Sequence, residues 1–155
     1  MVKDNITIEG ARIGFRNFAG KESQFNPNGN KHFSIFLDHK LGETLENDGW
    51  NIKWLEPREE GDPPTAHMQV GVSFANIPPK VIVVTSGGKT RLNDETIPTL
   101  DWAEISNVDI IIRPYNWAVG KKTGVKAYVK TMYVTVVEDE FESKYNNIGE
   151  ALPFE

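Results

Sequence analysis

Residues 108–137, VDIIIRPYNWAVGKKTGVKAYVKTMYVTVV, decide the fold of this chain. Two runs rich in β-branched and aromatic residues, 108–119 and 125–137, flank the glycine-bounded segment GKKTG at 120–124. Such runs on either side of a glycine-containing turn are typical of two long paired strands. The stretch therefore predicts a β-hairpin, and the rest of the chain must supply the sheet around it.

A second hairpin is predicted near the N-terminus. Residues 7–18 have the composition of a strand relieved by two glycines, and residues 31–38 form the returning strand. Between them, residues 19–30 are rich in Gly, Asn, Pro and Ser, and Asn28-Gly29 predicts a turn. We expect this hairpin to carry a long, mobile tip.

The middle of the chain predicts one short helix and further strands. Asp38 is a candidate N-cap for a helix over residues 39–47, with Gly49 as its stop. Further strands are predicted over three apolar segments, residues 50–55, 67–74 and 80–85. The last of these is a continuous apolar run, which is typical of a strand buried on both faces. Two polar segments are predicted as loops, residues 56–65 and 86–100.

These elements predict an all-β, mostly antiparallel fold. Six to eight strands, at most one short helix and no alternation of strands with helices favour a barrel or a sandwich. An OB-like five-stranded barrel with extra hairpins fits the length of 155 residues, and a β-sandwich remains open. We expect one domain over residues 1–144 and a flexible acidic tail over residues 145–155.

The net charge of −5 is unevenly distributed. Residues 138–155 hold six acidic and one basic side chain, so residues 1–137 are neutral and can still present a basic face. No apolar run approaches the ~20 residues that cross a membrane, and the N-terminus lacks the apolar segment of a secretory signal. We therefore expect no membrane partner and a cytoplasmic location.

Catalytic and metal-binding motifs are not found. The chain has no cysteine, and its three histidines, His32, His39 and His67, lack the spacing of metal ligands. No hydrolase, phosphate-loop or dinucleotide motif is present. The sequence thus predicts a protein that is not an enzyme and has no metal or cofactor.

The strongest candidate site is the hairpin itself. By alternation, Arg113, Tyr115 and Trp117 share one face of the first strand. The second strand and its turn add a ring and four cations, Lys121, Lys122, Lys126, Tyr128 and Lys130. Cations follow a phosphate backbone, and exposed rings stack on unpaired bases. This mixture predicts a single-stranded nucleic-acid surface, although the same rings could instead belong to the core.

The N-terminal hairpin adds a second basic and aromatic set. Arg12, Arg16 and Phe18 fall on one face by alternation, and the loop holds Lys21, Phe25 and the nearby Lys31. We predict that these residues also contact nucleic acid. Alternatively, Phe25 pins the loop onto the barrel.

The chain ends in GEALPFE, in which Leu152, Pro153 and Phe154 form an apolar hook on an acidic leader. We predict that this hook binds a partner protein, and that the leader competes with nucleic acid for the basic surface.

Together, these features resemble bacteriophage single-stranded-DNA-binding proteins. The resemblance rests on RNFAGKESQFNPNGNKHFSIFLD at 16–38, on DIIIRPYNWAVGKKTGVKAYVKTMYV at 109–134 and on the tail. It implies an OB fold, binding of single-stranded DNA without strong sequence preference, and a role in replication or recombination in the infected host's cytoplasm. It also implies stacking by Phe18, Tyr115, Trp117 and Tyr128 and contact of the tail with replication or recombination proteins. A homodimer is considered as well.

Two other functions remain open from the residues alone. One is a structural or protein-interaction β-sandwich, such as a virion component, because exposed rings also suit assembly surfaces. The other is a metal-dependent nuclease built on the many carboxylates.

Overall fold

The computed structural model describes residues 4–75 and 77–137. Over this part of the chain one sheet of nine strands accompanies one α-helix, α1 (His39–Asp48), and one 3-10 helix, Ile97–Asp101. The strands are β1 (Ile6–Ile8), β2 (Arg12–Asn17), β3 (Lys31–Leu37), β4 (Ile52–Leu55), β5 (Thr65–Val72), β6 (Lys80–Thr85), β7 (Gly88–Leu92), β8 (Ile105–Val119) and β9 (Lys122–Val136). The predicted all-β fold is confirmed. Leu152, Pro153 and Phe154 lie outside the described residues.

The hairpin that decides the fold pairs β8 with β9 along almost their whole length. Val119 pairs with Lys122, so only Gly120 and Lys121 form the turn, which is tighter than the predicted five-residue segment. Gly120 has a φ of +62°, a left-handed conformation that glycine adopts without strain. The register shifts where Ile111 and Ile112 pair with Thr131 and Val129, which leaves Lys130 as the extra residue of a β-bulge.

Strand β9 lies at the centre of the sheet. The main strand order is β1-β8-β9-β5-β3-β2, with β4 paired to β5. On the edge opposite β8, β9 pairs in parallel with β5 and, further along, with β6, which in turn pairs with β7. These parallel pairings make the sheet mixed, whereas the remaining pairings are antiparallel as predicted.

The predicted strand over residues 7–18 is bent into β1 and β2. Gly10 has a φ of +63° at the bend, and the Asp109 carboxylate accepts a hydrogen bond from its N–H at 2.9 Å. Because β1 pairs with β8 and β2 pairs with β3, this one segment joins the two ends of the strand order. The Ala11 N–H donates to the Val108 carbonyl at 2.8 Å within the bend. The sheet therefore curls toward an OB-like barrel.

Helix α1 begins and ends as predicted. The Asp38 carboxylate accepts a hydrogen bond from the Leu41 N–H at 2.7 Å, and Gly49 ends the helix with a φ of +110°. Gly42 is buried in the helix, and a Cβ atom there would lie 2.5 Å from the Cβ of Ala66. This glycine therefore lets the helix approach β5 closely, which outweighs its low helix propensity.

The core lies on one face of the sheet. Phe33, Ile35 and Leu37 from β3 meet Met68 and Val70 from β5. From the long hairpin the core takes Val108, Ile110, Ile112, Val125, Ala127, Val129, Met132 and Val134. The strands predicted over residues 31–38 and 67–74 are present as β3 and as β5, which begins and ends two residues earlier than predicted. We call the opposite side of the sheet the outer face.

One sequence prediction fails in the segment 80–100, and another holds only in part. Residues 88–92, GKTRL, form strand β7 rather than a loop, although only Leu92 among them is buried. In strand β6, Val81 and Ile82 point to opposite faces and are both buried, so the predicted cover on both faces is present there, whereas residues 83–85 are only partly buried. Neither helix within the described residues has the length and apolar character needed to cross a membrane.

Candidate nucleic-acid interface

The predicted ribbon of rings and cations projects to the outer face of the hairpin. Residues paired across two antiparallel strands share a face, and Arg113, Tyr115 and Trp117 pair with Tyr128, Lys126 and Gly124. On β9, the intervening Val125, Ala127 and Val129 are buried in the core. The register runs through Pro114 without interruption, because Pro114 lies beyond Ile112, the last β8 residue that pairs with β1.

Tyr115 and Tyr128 form a pair of contacting rings, and Trp117 lies on the same face of the hairpin. Tyr115 is 51% exposed, and its ring meets Tyr128 edge to face with centroids 6.1 Å apart. The Arg113 guanidinium lies 5.5 Å from the Tyr128 ring centroid, a distance at which cation and ring attract. Trp117 lies over Gly124, where a Cβ atom would be 2.6 Å from the indole. The hairpin thus presents half-buried rings that are held from below and open to solvent.

Tyr128 also connects the hairpin to the rest of the sheet. Its ring lies against Gly71 of β5, where a Cβ atom would be 2.8 Å from Cε1 of the tyrosine. Gly71 pairs with His32, and His32 pairs with Asn17 of β2. The outer face therefore runs unbroken from the hairpin through β5 and β3 to β2.

A cleft of about 730 Å³ opens beside the rings of the hairpin. It lies along one edge of β5, between Met68, which pairs with the start of β4, and Val70, which is the first residue of β5 to pair with β9. The rings of Trp50, Trp117 and Tyr128 line it. Polar and cationic side chains from several strands complete the lining: Asn30, Lys31, His32, Asn51, Lys53, Gln69, Ser73, Thr123 and Lys126. Its described lining contains no acidic residue. Such a groove attracts an anionic chain and offers it rings.

Burial lowers the pKa of His32 below the ordinary histidine value, and the nearby Asp101 carboxylate opposes that shift only in part. The imidazole is therefore neutral at neutral pH. Its Nε2 lies 3.5 Å from the side-chain nitrogen of Asn17. A neutral imidazole in this position can donate or accept a hydrogen bond at a base edge.

The predicted cations of the hairpin are accessible. Lys121, Lys122, Lys126 and Lys130 are all exposed. Lys31 differs, because its ammonium group pairs with the Asp94 carboxylate and lies 6.0 Å from the Phe74 ring. Lys31 lines the cleft but offers less free charge than expected.

The prediction that Phe18 shares an exposed face with Arg12 and Arg16 is wrong. Gly14 pairs with Ser34 and Asn17 pairs with His32, so β2 carries one more residue than β3 over this interval. This bulge reverses the alternation and turns Phe18 inward. Its ring is fully buried and stacks on Phe33 with centroids 5.0 Å apart. Phe18 therefore has no surface on which a base could stack.

The Arg16 side chain makes hydrogen bonds within the fold and is therefore not available to a ligand. Its guanidinium donates to the Leu100 and Ala103 carbonyls at 2.8 and 2.7 Å. Between those carbonyls, the Asp101 carboxylate accepts hydrogen bonds from the backbone N–H groups of Phe18 and Ala19. The end of β2 is thus latched to the 3-10 helix.

The loop between β2 and β3 is built around an asparagine. The Asn26 side chain donates to the Lys21 and Asn30 carbonyls at 3.0 Å each, and Gly29 adopts a φ of +66° in the predicted turn. Phe25 is 89% exposed at the tip, so it does not pin the loop onto the barrel. Lys21 is exposed as well.

Sequence reasoning missed several cleft residues. Lys53 and Gln69 lie on the outer face of β4 and β5, and Trp50 lines the cleft with a ring that is only 4% exposed. Each sits in a segment whose own pattern predicts only a strand. Pairing between distant strands brings these residues to Lys126 and Tyr128, and no local motif reports such pairing.

An OB-like sheet with an acid-free cleft and a platform of rings defines a single-stranded nucleic-acid-binding protein. Residues 1–153 match the family described as "Putative phage ssDNA-binding domain". The chain belongs to this family of phage single-stranded-DNA-binding proteins.

Solved structures show the same fold. The single-stranded DNA-binding protein of bacteriophage Enc34 in complex with ssDNA aligns with a TM-score of 0.55 and 10% identity, over 88% of this chain and 89% of that one. The same Enc34 protein without DNA aligns with a TM-score of 0.52 and 10% identity, over 88% and 83% of the two chains. No curated protein sequence matches the chain.

Proposed function

We propose that single-stranded DNA lies across the outer face of the sheet, with its bases on the rings of the β8–β9 hairpin and its phosphates along the cleft. One observation carries this proposal: Tyr115, Trp117 and Tyr128 lie on one accessible face with Arg113 and Lys126. Family membership identifies single-stranded DNA as the ligand. The Enc34 protein of the same fold was solved in complex with ssDNA.

The contacts explain binding without sequence preference. Stacking on an aromatic face accepts every base, because each base has a π surface, and it contributes on the order of 1–3 kcal/mol per base. The cations contact phosphates, which are the same in every sequence. Lys121, Lys122 and Lys130 extend the cationic surface beyond the cleft. Such a protein coats single strands and performs no catalytic step, which suits a part in phage DNA replication or recombination in the host cytoplasm.

The test replaces Tyr115 and Trp117 together with alanine. We expect the affinity for a poly-dT oligonucleotide at fixed salt to fall by at least tenfold, because two stacking surfaces are lost. Fluorescence anisotropy measures the affinity, and circular dichroism checks that the variant is folded. Trp102→Ala is the matched control, because Trp102 is 79% exposed at the end of the 3-10 helix. A folded double variant with wild-type affinity would remove the stacking assignment.

The acidic C-terminal segment has a separate proposed role. We propose that Leu152, Pro153 and Phe154, in the acidic segment 145–155, bind replication or recombination proteins. The negative leader competes with DNA for the cationic cleft. Deleting residues 145–155 is expected to leave the melting temperature unchanged and to maintain or increase affinity for single-stranded DNA. A clear loss of affinity would instead assign the segment to the DNA-binding surface.

A further inference from the structure

Three rings gather on the outer face at a distance from the hairpin. His67 lies four residues along β5 from Gly71, and Phe15 and Phe36 pack beside it. The ring centroids of Phe15 lie 5.7 Å from Phe36 and 5.6 Å from His67, and those of Phe36 and His67 are 6.2 Å apart. Phe15 is 59% exposed, whereas His67 is only 9% exposed. The cluster therefore holds one open ring on supporting rings.

The backbone is strained to present this ring. Phe15 has a φ of +47°, and among the described residues no other non-glycine residue has a positive φ. A bulky residue is unfavourable in that region and persists only where the surroundings enforce it. Phe15 lies in the β2 bulge, and bulges commonly re-aim side chains at binding sites. The bulge thus brings to the outer face a ring that regular alternation would turn toward the core.

Neighbouring residues adapt to the cluster. A Cβ atom on Gly14 would lie 2.6 Å from the Phe36 ring, so this glycine leaves room for the phenyl group. The Arg12 guanidinium lies 5.8 Å from the centroid of the same ring. Lys53 pairs with His67 across β4 and β5, and it also lines the cleft. The cluster therefore has one cation beside Phe36 and one beside His67, and such cations suit the phosphates of a nucleotide stacked on Phe15.

The cluster also contains an unsatisfied polar atom. Nδ1 of His67 is buried and has no hydrogen-bond partner among residues 4–75 and 77–137. A buried nitrogen without a partner carries a free-energy cost. The cluster therefore combines an unpaired polar atom with the positive φ of Phe15, and both are unfavourable in a region that serves only packing.

We propose that Phe15, supported by Phe36 and His67 and flanked by Arg12 and Lys53, is a second base-stacking station for single-stranded DNA. The proposal rests on the function proposed above and extends its footprint from the hairpin to β2. Four residues of β5 separate the station from Gly71 and the Tyr128 ring above it, about 13 Å at ~3.3 Å per residue. That span is roughly two nucleotides of an extended, unstacked strand. Lys53 pairs with His67 of the Phe15 station and also lines the cleft that reaches Tyr128.

The experiment compares oligonucleotides of increasing length. Affinities for dT oligonucleotides of about 3 to 20 nucleotides are measured at fixed salt by fluorescence anisotropy for the wild type, Phe15→Ala and Phe15→Trp. Phe15→Ala is expected to lower affinity for long oligonucleotides by about 5- to 100-fold, the value of stacking one base. Its affinity for the shortest oligonucleotides that bind the hairpin stays at the wild-type value. Phe15→Trp, which keeps a stacking ring, retains wild-type affinity at every length.

Two further variants keep the result interpretable. Phe15→Gly removes the ring and also relieves the positive φ, so it must show the same length-dependent loss with an equal or higher melting temperature. Trp102→Ala removes a ring that is more exposed than Phe15, 79% against 59%, and is expected to leave every affinity unchanged. The assignment of Phe15 as a stacking contact would be overturned if the folded variants Phe15→Ala and Phe15→Gly bound oligonucleotides of every length with wild-type affinity. An equal loss at all lengths would also overturn it, because the ring would not be a separate contact. Failure of the hairpin assignment is recognised independently, by wild-type affinity of the Tyr115 and Trp117 double variant.

Discussion

At the scale of single residues, glycines shape the interface as much as the rings do. Gly71 and Gly124 lie directly beneath Tyr128 and Trp117, and any side chain there would occupy the volume of the ring above it. The missing Cβ lets each ring approach the backbone of the neighbouring strand closely. A ring held in this way is fixed against the sheet while part of it stays open to solvent. The glycine therefore positions a contact that it does not itself make.

Gly124→Ala tests this positioning. Its Cβ atom would lie 2.6 to 2.8 Å from three atoms of the Trp117 indole, so the ring must move. We expect affinity for single-stranded DNA to fall about 3- to 30-fold, a part of one stacking contact. Gly87→Ala is the control, because the nearest atom there is Thr85 Oγ1 at 3.8 Å. Equal affinities of the two variants in an anisotropy titration would contradict the role of Gly124.

At the scale of elements, the bulge in β2 separates what could be predicted from what could not. The β8–β9 hairpin follows from its own alternation, so Tyr115, Trp117 and Tyr128 were placed correctly on one accessible face. In β2 a single extra residue between Gly14 and Asn17 reverses the alternation, so Phe15 faces outward and Phe18 faces the core. A local pattern cannot reveal such an insertion, because it is defined by pairing with another strand.

Strand β7 and the cleft escaped prediction for related reasons. Most of GKTRL is exposed, so its sequence carries no apolar alternation from which a strand could be recognised. The cleft depends on the parallel pairing of Val70 and Gly71 with Ala127 and Tyr128, residues far apart in the chain. Lys53, Gln69 and Trp50 acquire their place beside the rings only through that pairing.

The latch between β2 and the 3-10 helix provides a prediction at this scale. Asp101→Asn leaves one oxygen to accept the two hydrogen bonds that the carboxylate receives from Phe18 and Ala19. We expect the free energy of unfolding to fall by about 1–3 kcal/mol, the value of a hydrogen bond to a charged group. Urea denaturation measures this loss, with Asp62→Asn in an exposed loop as the control.

DNA binding should respond differently to that latch variant. Because Arg16 and Asp101 hold the fold together and do not line the cleft, the folded fraction of Asp101→Asn should bind poly-dT within about twofold of the wild type. Unchanged stability combined with much weaker DNA binding would show that this region belongs to the interface instead.

At the scale of the whole molecule, charge is segregated. The chain carries a net charge of −5, yet the described lining of the cleft holds three lysines and no acid. Local potential, rather than net charge, attracts a polyanion to such a groove. The acidic residues of 138–155 account for the overall negative charge.

The salt dependence of binding tests this segregation. Each phosphate neutralised on a single strand contributes a slope of about −0.7 to the plot of log K against log salt. Lys126→Gln should therefore weaken binding at low salt and make the slope shallower by about 0.7. Lys40→Gln on α1 changes the net charge equally but lies outside the cleft, so its slope should match the wild type. Identical slopes for the two variants would argue against a phosphate contact at Lys126.

The central place of β9 has a consequence for how the molecule forms. This strand joins β8, β5 and β6, yet it is the last strand of the described chain, so all of its partners are synthesised before it. Until then β5 and β6 lack a common neighbour, and their unpaired edges are open to other chains. Productive folding must therefore wait until synthesis of residues 122–136 is complete. During that interval the edges of β5 and β6 that β9 will cover are open to pairing with another chain.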